Sequence, residues 1–253
     1  MRYFFETSYF GQRYSGWQSQ ANALGIQTVL EQALSAIFRS PVRIIGSGRT
    51  DAGVHCEQQF FHTDINRSFD PEQLQTKLNS FLPPDIAIGA IRQVRDDAHA
   101  RYSATSRTYE YRISLEKNPF LNGMALRWFK PLDIQTMGKA TALIVGTHDF
   151  TAFSKVKTDV NHFICEIKTA RWKFSGSLLT FQITADRFLR GMVRALTGTL
   201  LDVGTGKTTL GEFKSIIGSK DRKKAGANVA PYGLYLTKVT YPRTIFMEKK
   251  TGM

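Results

Sequence analysis

An α+β fold built from two ferredoxin-like halves is predicted by three observations on this chain. The first is element order. Strand-like and helix-like stretches run strand–helix–strand–strand–helix–strand over residues 2–94, the order of a ferredoxin-like unit. The second is a comparable series that begins near residue 108. The third is size: 253 residues suit two domains of about 100–130 residues, and 42% hydrophobic with 22% charged residues is a globular composition. The halves are expected at 1–104 and 105–245, joined near 100–106, with 246–253 as a tail. Largely antiparallel sheets with helices on their outer faces should flank a central cleft. No sequence repeat relates the halves, so the duplication rests on element order alone.

Each element has its own signal. Residues 2–9 alternate as a strand. Residues 25–38 carry Ile26, Val29, Leu30, Ala33, Leu34 and Ile37 at helical spacing. Strands are expected at about 42–46 and 58–63. Asp70 as a cap and Pro71 as the first helical residue open a helix whose inner face is Leu74 and Leu78. Residues 86–94 close the first half as a strand. The second half should hold a strand at 108–115, a helix at about 133–145, and strands at 163–174 and 178–185. Helices at 188–202 and 208–217 and a strand at 233–240 complete it. Beyond Pro242 the chain is expected to be only partly ordered.

Charge narrows the function classes. Thirty-four Lys and Arg against 21 Asp and Glu give +13, which favours a polyanionic partner because Lys and Arg contacts to phosphate release counterions. No apolar run approaches a membrane span, and charge interrupts the N-terminus before a signal-peptide core could form. No lipidation motif or basic amphipathic helix points to a membrane surface. Two cysteines, Cys56 and Cys165, are too few for a disulfide framework or a zinc site, so a cytoplasmic, reducing compartment is expected.

Chemistry concentrates in a few stretches. Gly48-Arg49-Thr50-Asp51-Ala52-Gly53-Val54-His55 sets a carboxylate on a glycine-hinged connection between two strands, where a scaffold can hold and expose it. A plain turn with Arg49 paired to Asp51 on the surface is the bland alternative. His99-Ala100-Arg101-Tyr102-Ser103-Ala104 leads into Thr108-Tyr109-Glu110-Tyr111-Arg112, where Tyr109 and Tyr111 share one strand face and Glu110 and Arg112 the other. Basic residues interleaved with aromatics suit unstacked nucleotides, although half-buried sheet tyrosines would look the same. Arg187, Arg190 and Arg194 are spaced to share a helix face, either as a solvated stripe or with an arginine reaching inward to a carboxylate or phosphate. Lys220-Asp221-Arg222-Lys223-Lys224 reads as a solvated basic loop. Gly206-Lys207-Thr208 imitates the end of a phosphate-binding loop, but Leu201 stands where that motif needs glycine, and the segment follows a helix. It reads as one helix's end and the next one's start. The five histidines and two cysteines lack metal-ligand spacing, and no Gly-x-Ser-x-Gly elbow occurs.

These blocks together resemble the TruA family of tRNA pseudouridine synthases, over nearly the whole chain. The match includes Gly16-Trp17-Gln18, the 48–55 loop, Phe81-Leu82-Pro83, His99 to Ala104 with Tyr109, and Gly146-Thr147-His148-Asp149-Phe150. It continues through Phe188-Leu189-Arg190-Gly191-Met192-Val193-Arg194 and Ala230-Pro231-Tyr232-Gly233-Leu234-Tyr235-Leu236. The resemblance implies two RRM-like halves around a central RNA-binding cleft. It implies an isomerase converting uridine to pseudouridine at positions 38, 39 and 40 of the tRNA anticodon stem-loop, a homodimer, and no cofactor or metal. Carried over by position, Asp51 is the catalytic carboxylate and Tyr109 the residue stacking on the target base. Arg49 is implicated in extruding the nucleotide, Arg194 pairs with the carboxylate, and Leu234 walls the base pocket.

The residues suit that chemistry. Exchanging an N-glycoside for a C-glycoside needs no redox change or group donor. It needs an ionised carboxylate and a pocket with aromatic and apolar walls for an extruded base. A non-catalytic RNA-binding protein with tandem RRM-like halves and a phosphate-loop nucleotidase are the competing classes.

Overall fold

The computed structural model describes residues 1–155 and 162–247. They form a mixed α+β, mostly antiparallel structure in two compact units: residues 1–105 with the chain from Leu236 onward, and residues 106–235.

The first unit runs β1 (Arg2–Tyr9), α1 (Ile26–Phe38), β2 (Ile45–Gly46), β3 (His55–Asp64), α2 (Pro71–Phe81) and β4 (Ile86–Val94). The strands stand in the order β4-β1-β3, each pair antiparallel, and β2 also pairs antiparallel with β3. Strand alternation sends Phe5 and Phe61 to one face, where their rings stack at 4.9 Å. α1 contributes buried Ile26, Leu30, Ala33, Leu34 and Phe38 to the core. Asp70 caps α2 through the amides of Glu72 and Gln73, as the sequence predicts.

Two expectations change here. The strand expected over 42–46 shrinks to Ile45–Gly46. The Glu31 carboxylate, buried in α1, accepts from the Ile44 amide at 3.1 Å, Gln27 Nε2 at 3.1 Å and Arg43 Nη1 at 3.0 Å. Ser35 Oγ takes the Val42 amide. A buried carboxylate needs such donors, and Glu31 and Ser35 together remove two amides, those of Ile44 and Val42, from strand pairing.

The C-terminal stretch is the second difference. The sequence places it with the second half and then as a tail, yet β10 (Leu234–Thr240) stands next to β3 in the strand order. The Val239 amide donates to Gln58 Oε1. Tyr241 and Phe246 set their rings edge-on to Phe4, at 5.1 and 6.2 Å. Phe246 also bridges to Val94, and the Met247 amide bonds the Gln93 carbonyl. An outward face carrying Phe4 and Phe60 would be costly if wet, and the returning chain covers it. The rest of the expected tail lies outside the described residues.

The second unit runs β5 (Ser106–Ser114), β6 (Leu126–Arg127), α3 (Ile134–Ala142), β7 (Gly146–Asp149), β8 (Ile164–Ser175), β9 (Leu178–Ala185), α4 (Met192–Gly204) and α5 (Leu210–Ser219). Its order is β5-β9-β8-β7, antiparallel throughout, with β6 parallel to β5. Tyr111, Ile113, Leu179, Phe181 and Ile183 are fully buried, and nearly every residue of α4 is buried.

α4 starts at Met192, four residues later than expected. Gly191 at its N-terminus takes φ +74°, a left-handed turn that ends any helical run from 188. Arg187 and Arg190 therefore precede the helix, and the predicted stripe of three arginines reduces to Arg194. The phosphate-loop imitation resolves as expected: Gly204 ends α4, and Thr209 with Glu212 forms a capping box for α5.

Candidate active site

The 48–55 loop is held by the segment that follows β1. Thr50 is buried, and its Oγ1 shares a 2.9 Å hydrogen bond with the Tyr9 hydroxyl. Its carbonyl accepts from the Trp17 amide at 3.2 Å, and the Gly53 amide donates to the Tyr14 carbonyl at 3.3 Å. Val54 N–H closes a turn onto the Asp51 carbonyl at 3.2 Å, and Gly53 supplies the turn's φ of +75°. The next residue, His55, is buried, stacks on Phe10 at 4.1 Å and accepts the Gly11 amide at Nδ1, 3.0 Å away.

Close backbone approach explains why glycines and Trp17 accompany the loop in the sequence. A Cβ on Gly16 would stand 2.3 Å from the Thr50 carbonyl oxygen, and one on Gly11 would stand 1.9 Å from that of Val54. Gly46 likewise leaves room for the Trp17 indole. The loop is thus fixed on both sides of Asp51, which is half-buried, while Arg49 is exposed. Tyr14 carries the bracing further: its hydroxyl donates to Asp85 Oδ1 at 2.6 Å. Burial, reinforced by that bond, pushes the phenol up to about 12.

The second unit gathers its own cluster. Tyr109 is half-buried on β5, its ring edge-on to Phe188 at 5.1 Å. Two residues on, Tyr111 is fully buried and donates its hydroxyl to the Ala230 carbonyl at 2.8 Å. Burial raises its pKa. Arg194, in the first turn of α4, donates Nε–H to the Val229 carbonyl at 2.7 Å, and the Val229 amide returns to the Arg194 carbonyl at 3.3 Å. Leu234 is buried at the start of β10, just after Gly233, whose absent Cβ lets the Tyr111 ring approach.

The basic run 220–224 is more than a solvated loop. Lys220 pairs with Asp149, and Arg222 bonds the carbonyls of Ala225 and Gly226 and the side chain of Asn228. The Gly226 amide donates to Thr199 Oγ1 on α4. Arg222 therefore organises the turn that presents Val229 to Arg194.

Of the predicted site residues, Asp51 and Arg49 lie in the first unit, and Tyr109, Arg194 and Leu234 in the second. Within the second unit, Arg194, the 229–230 segment and Tyr111 are joined through hydrogen bonds, with Tyr109 on the same strand face as Tyr111. Sequence reading missed Tyr9, Tyr14, Trp17 and Phe188 as supports. Only Trp17 and Phe188 carried a signal, as aromatic members of the quoted blocks. Among the described residues no three His, Cys, Asp or Glu side chains converge as metal ligands, and no helix is long and apolar enough to cross a membrane.

Comparison with known proteins extends this local picture. A family model described as tRNA pseudouridine synthase matches residues 7–103 and 140–242, spans that include the bracing of the Asp51 loop and the Arg194–Val229 pair. The chain is 45% identical to the tRNA pseudouridine synthase A of Porphyromonas gingivalis over 250 residues, covering 97% of this chain and 99% of that protein. It is 45% identical to the protein of that name from Bacteroides thetaiotaomicron, covering 98% and 93%. Against the Bacillus subtilis relative the identity is 39%, covering 92% and 96%. The loop, its braces and the α4 cluster thus fall within an alignment that runs end to end, and the chain belongs to the tRNA pseudouridine synthase family.

Proposed function

We propose that this chain isomerises uridine to pseudouridine in tRNA, at positions 38, 39 and 40 of the anticodon stem-loop, with Asp51 as the catalytic carboxylate. The observation that carries the reading is the family match over both units, with Asp51 inside a loop whose flanks are locked. A half-buried carboxylate on a fixed turn has its entropy of positioning already spent, which is what a reacting group requires.

The reaction breaks the N1–C1′ bond, turns the detached uracil and joins C1′ to C5. The hydrogen at C5 leaves and N1 gains one, so the formula is unchanged. Asp51 serves as nucleophile, or as base at the 2′ proton. Tyr109 stacks on the extruded base, Leu234 walls its pocket, Arg194 pairs with the carboxylate and Arg49 assists extrusion. No cofactor or metal takes part, and the enzyme acts in the cytoplasm as a homodimer whose subunits form one RNA-binding surface. The antiparallel order β4-β1-β3 with β2 beside β3 supports a ferredoxin-like, RRM-like first half.

Asp51→Asn should abolish tritium release from tRNA containing 5-tritiated uridine while tRNA binding persists. Substantial turnover by that variant would remove Asp51 from the chemistry. Intact protein that binds tRNA but yields no pseudouridine at 38–40 would favour a non-catalytic tandem RNA-binding protein.

A further inference from the structure

Residues 98–103 form a turn in the first unit whose backbone is tied down along its length. His99 Nδ1 accepts the amides of Arg101 at 3.1 Å and Tyr102 at 3.4 Å. The His99 amide donates to Ser103 Oγ, and the Ser103 amide to the His99 carbonyl, both at 2.9 Å. Beneath the turn, the Ala100 amide donates to His62 Nδ1 at 3.1 Å, and the Tyr241 hydroxyl donates to the Ala100 carbonyl. Arg2 Nη1 donates to the Ala98 carbonyl at 3.0 Å. Ala98 and Ala100 are buried.

From this fixed base one aromatic ring projects: Tyr102 is 76% exposed. Behind it lies the His99 ring at 4.4 Å, and behind that the buried His62 ring at 4.7 Å. Burial lowers the pKa of His99, with Arg2 and Arg101 acting in the same sense. The Arg101 guanidinium sits 5.6 Å from the Tyr102 ring centroid. His62 also walls a cleft of about 650 Å³ lined by Arg2, Arg43 and Arg67, with Asp64 as its carboxylate.

A single exposed aromatic on a loose loop means little. Here the loop's ordering cost is met within the fold, and the ring has an aromatic backing and a cation beside it. That combination fits an unpaired nucleotide: a base stacks on the ring face and a guanidinium meets its phosphate. Tyr109 differs in kind, being half-buried against Phe188, so an open ring on the other unit suits a nucleotide other than the target.

We propose that Tyr102 is a base-stacking residue for a non-target unpaired nucleotide of the RNA substrate, with Arg101 at the adjoining phosphate. The identity of the RNA rests on the tRNA reading above. Tyr102→Ala should raise the Kd for an unmodified tRNA transcript about tenfold, which is about 1.4 kcal/mol. In turnover the loss should appear in KM rather than kcat. Tyr102→Phe, which keeps the ring face, should retain the wild-type Kd. Arg101→Gln should lower the slope of log K against log salt by about one.

An unchanged Kd in Tyr102→Ala overturns the proposal, as does an equal loss in Tyr102→Phe, which would point to the hydroxyl. A change of oligomeric state without a change in Kd overturns it in favour of a protein contact. Because Kd is read without turnover, the two readings fail separately. Pseudouridine formation with an unchanged Tyr102→Ala Kd removes only the stacking role. Weakened binding in a protein that makes no pseudouridine removes only the isomerase.

Discussion

His62 shows how much one buried side chain can decide. It is 3% exposed, and its Nδ1 accepts the Ala100 amide, so its neutral form carries the proton on Nε2. Burial, then the charge of Arg2 and the neighbouring His99, push its pKa down to about 4, against a small opposing pull from Asp64. The unfolded chain takes up a proton near pH 6.5, while the folded chain stays neutral until about pH 4. Between those values the unfolded state binds more protons, so stability falls as pH falls through this window. The full loss is roughly 2–4 kcal/mol. Urea melts at pH 7 and pH 5 should show a steeper decline in the wild type than in His62→Gln, and parallel declines would contradict it. The same side chain supports the turn beneath Tyr102, so acid should loosen that turn as well.

At the scale of elements, α4 is the helix on which the second unit depends. Gly198 sits in its interior, where glycine costs about 1 kcal/mol relative to alanine. The cost is accepted because the 225–229 segment crosses it closely: a Cβ there would lie 2.0 Å from the Ala227 carbonyl oxygen. Gly198→Ala therefore gains helix propensity and loses packing. Overpacking against backbone costs about 1–3 kcal/mol, and at 2.0 Å the clash should win. Chemical denaturation should show a net loss of about 1–2 kcal/mol. Turnover should fall as well, because the displaced segment carries Val229, the partner of Arg194. A stabilised variant would mean that the crossing segment yields freely. The 48–55 loop follows the same rule, since Gly16 and Gly11 matter for what approaches them.

For the whole molecule the governing quantity is charge. A formal +13 should make tRNA affinity strongly salt-dependent, each neutralised phosphate adding about 0.7–0.9 to the slope of log K against log salt. Raising salt from about 50 to about 200 mM should weaken tRNA binding by more than tenfold. A flat response in a filter-binding titration would assign the affinity to base contacts instead.

How much of this was legible beforehand depended on whether a feature is local. The spans of β1, α1, β4 and β9 and the Asp70–Pro71 start of α2 follow from alternation, helical spacing and caps, and they stand as expected. The 48–55 loop could be singled out because a carboxylate between glycines is visible in any one sequence. Local signals misplaced other features. Residues 42–44 have strand-forming side chains, but Glu31 holds two of the contacts that bend them away. The run from 188 looks helical until Gly191 turns left-handed beside the Asn228 side chain. The chain beyond Pro242 looks like a tail until Tyr241 and Phe246 meet Phe4. By itself the sequence determined the α+β class, the order of the elements in the first unit, the family resemblance and the residue at the centre of the loop, while β6 and β7 of the second unit carried no signal that was read. Tertiary structure alone decided what braces that loop, where α4 begins and which unit the C-terminus completes. Propensity and spacing act over a few residues, whereas buried hydrogen bonds and apolar coverage are settled only when distant segments compete for the same core.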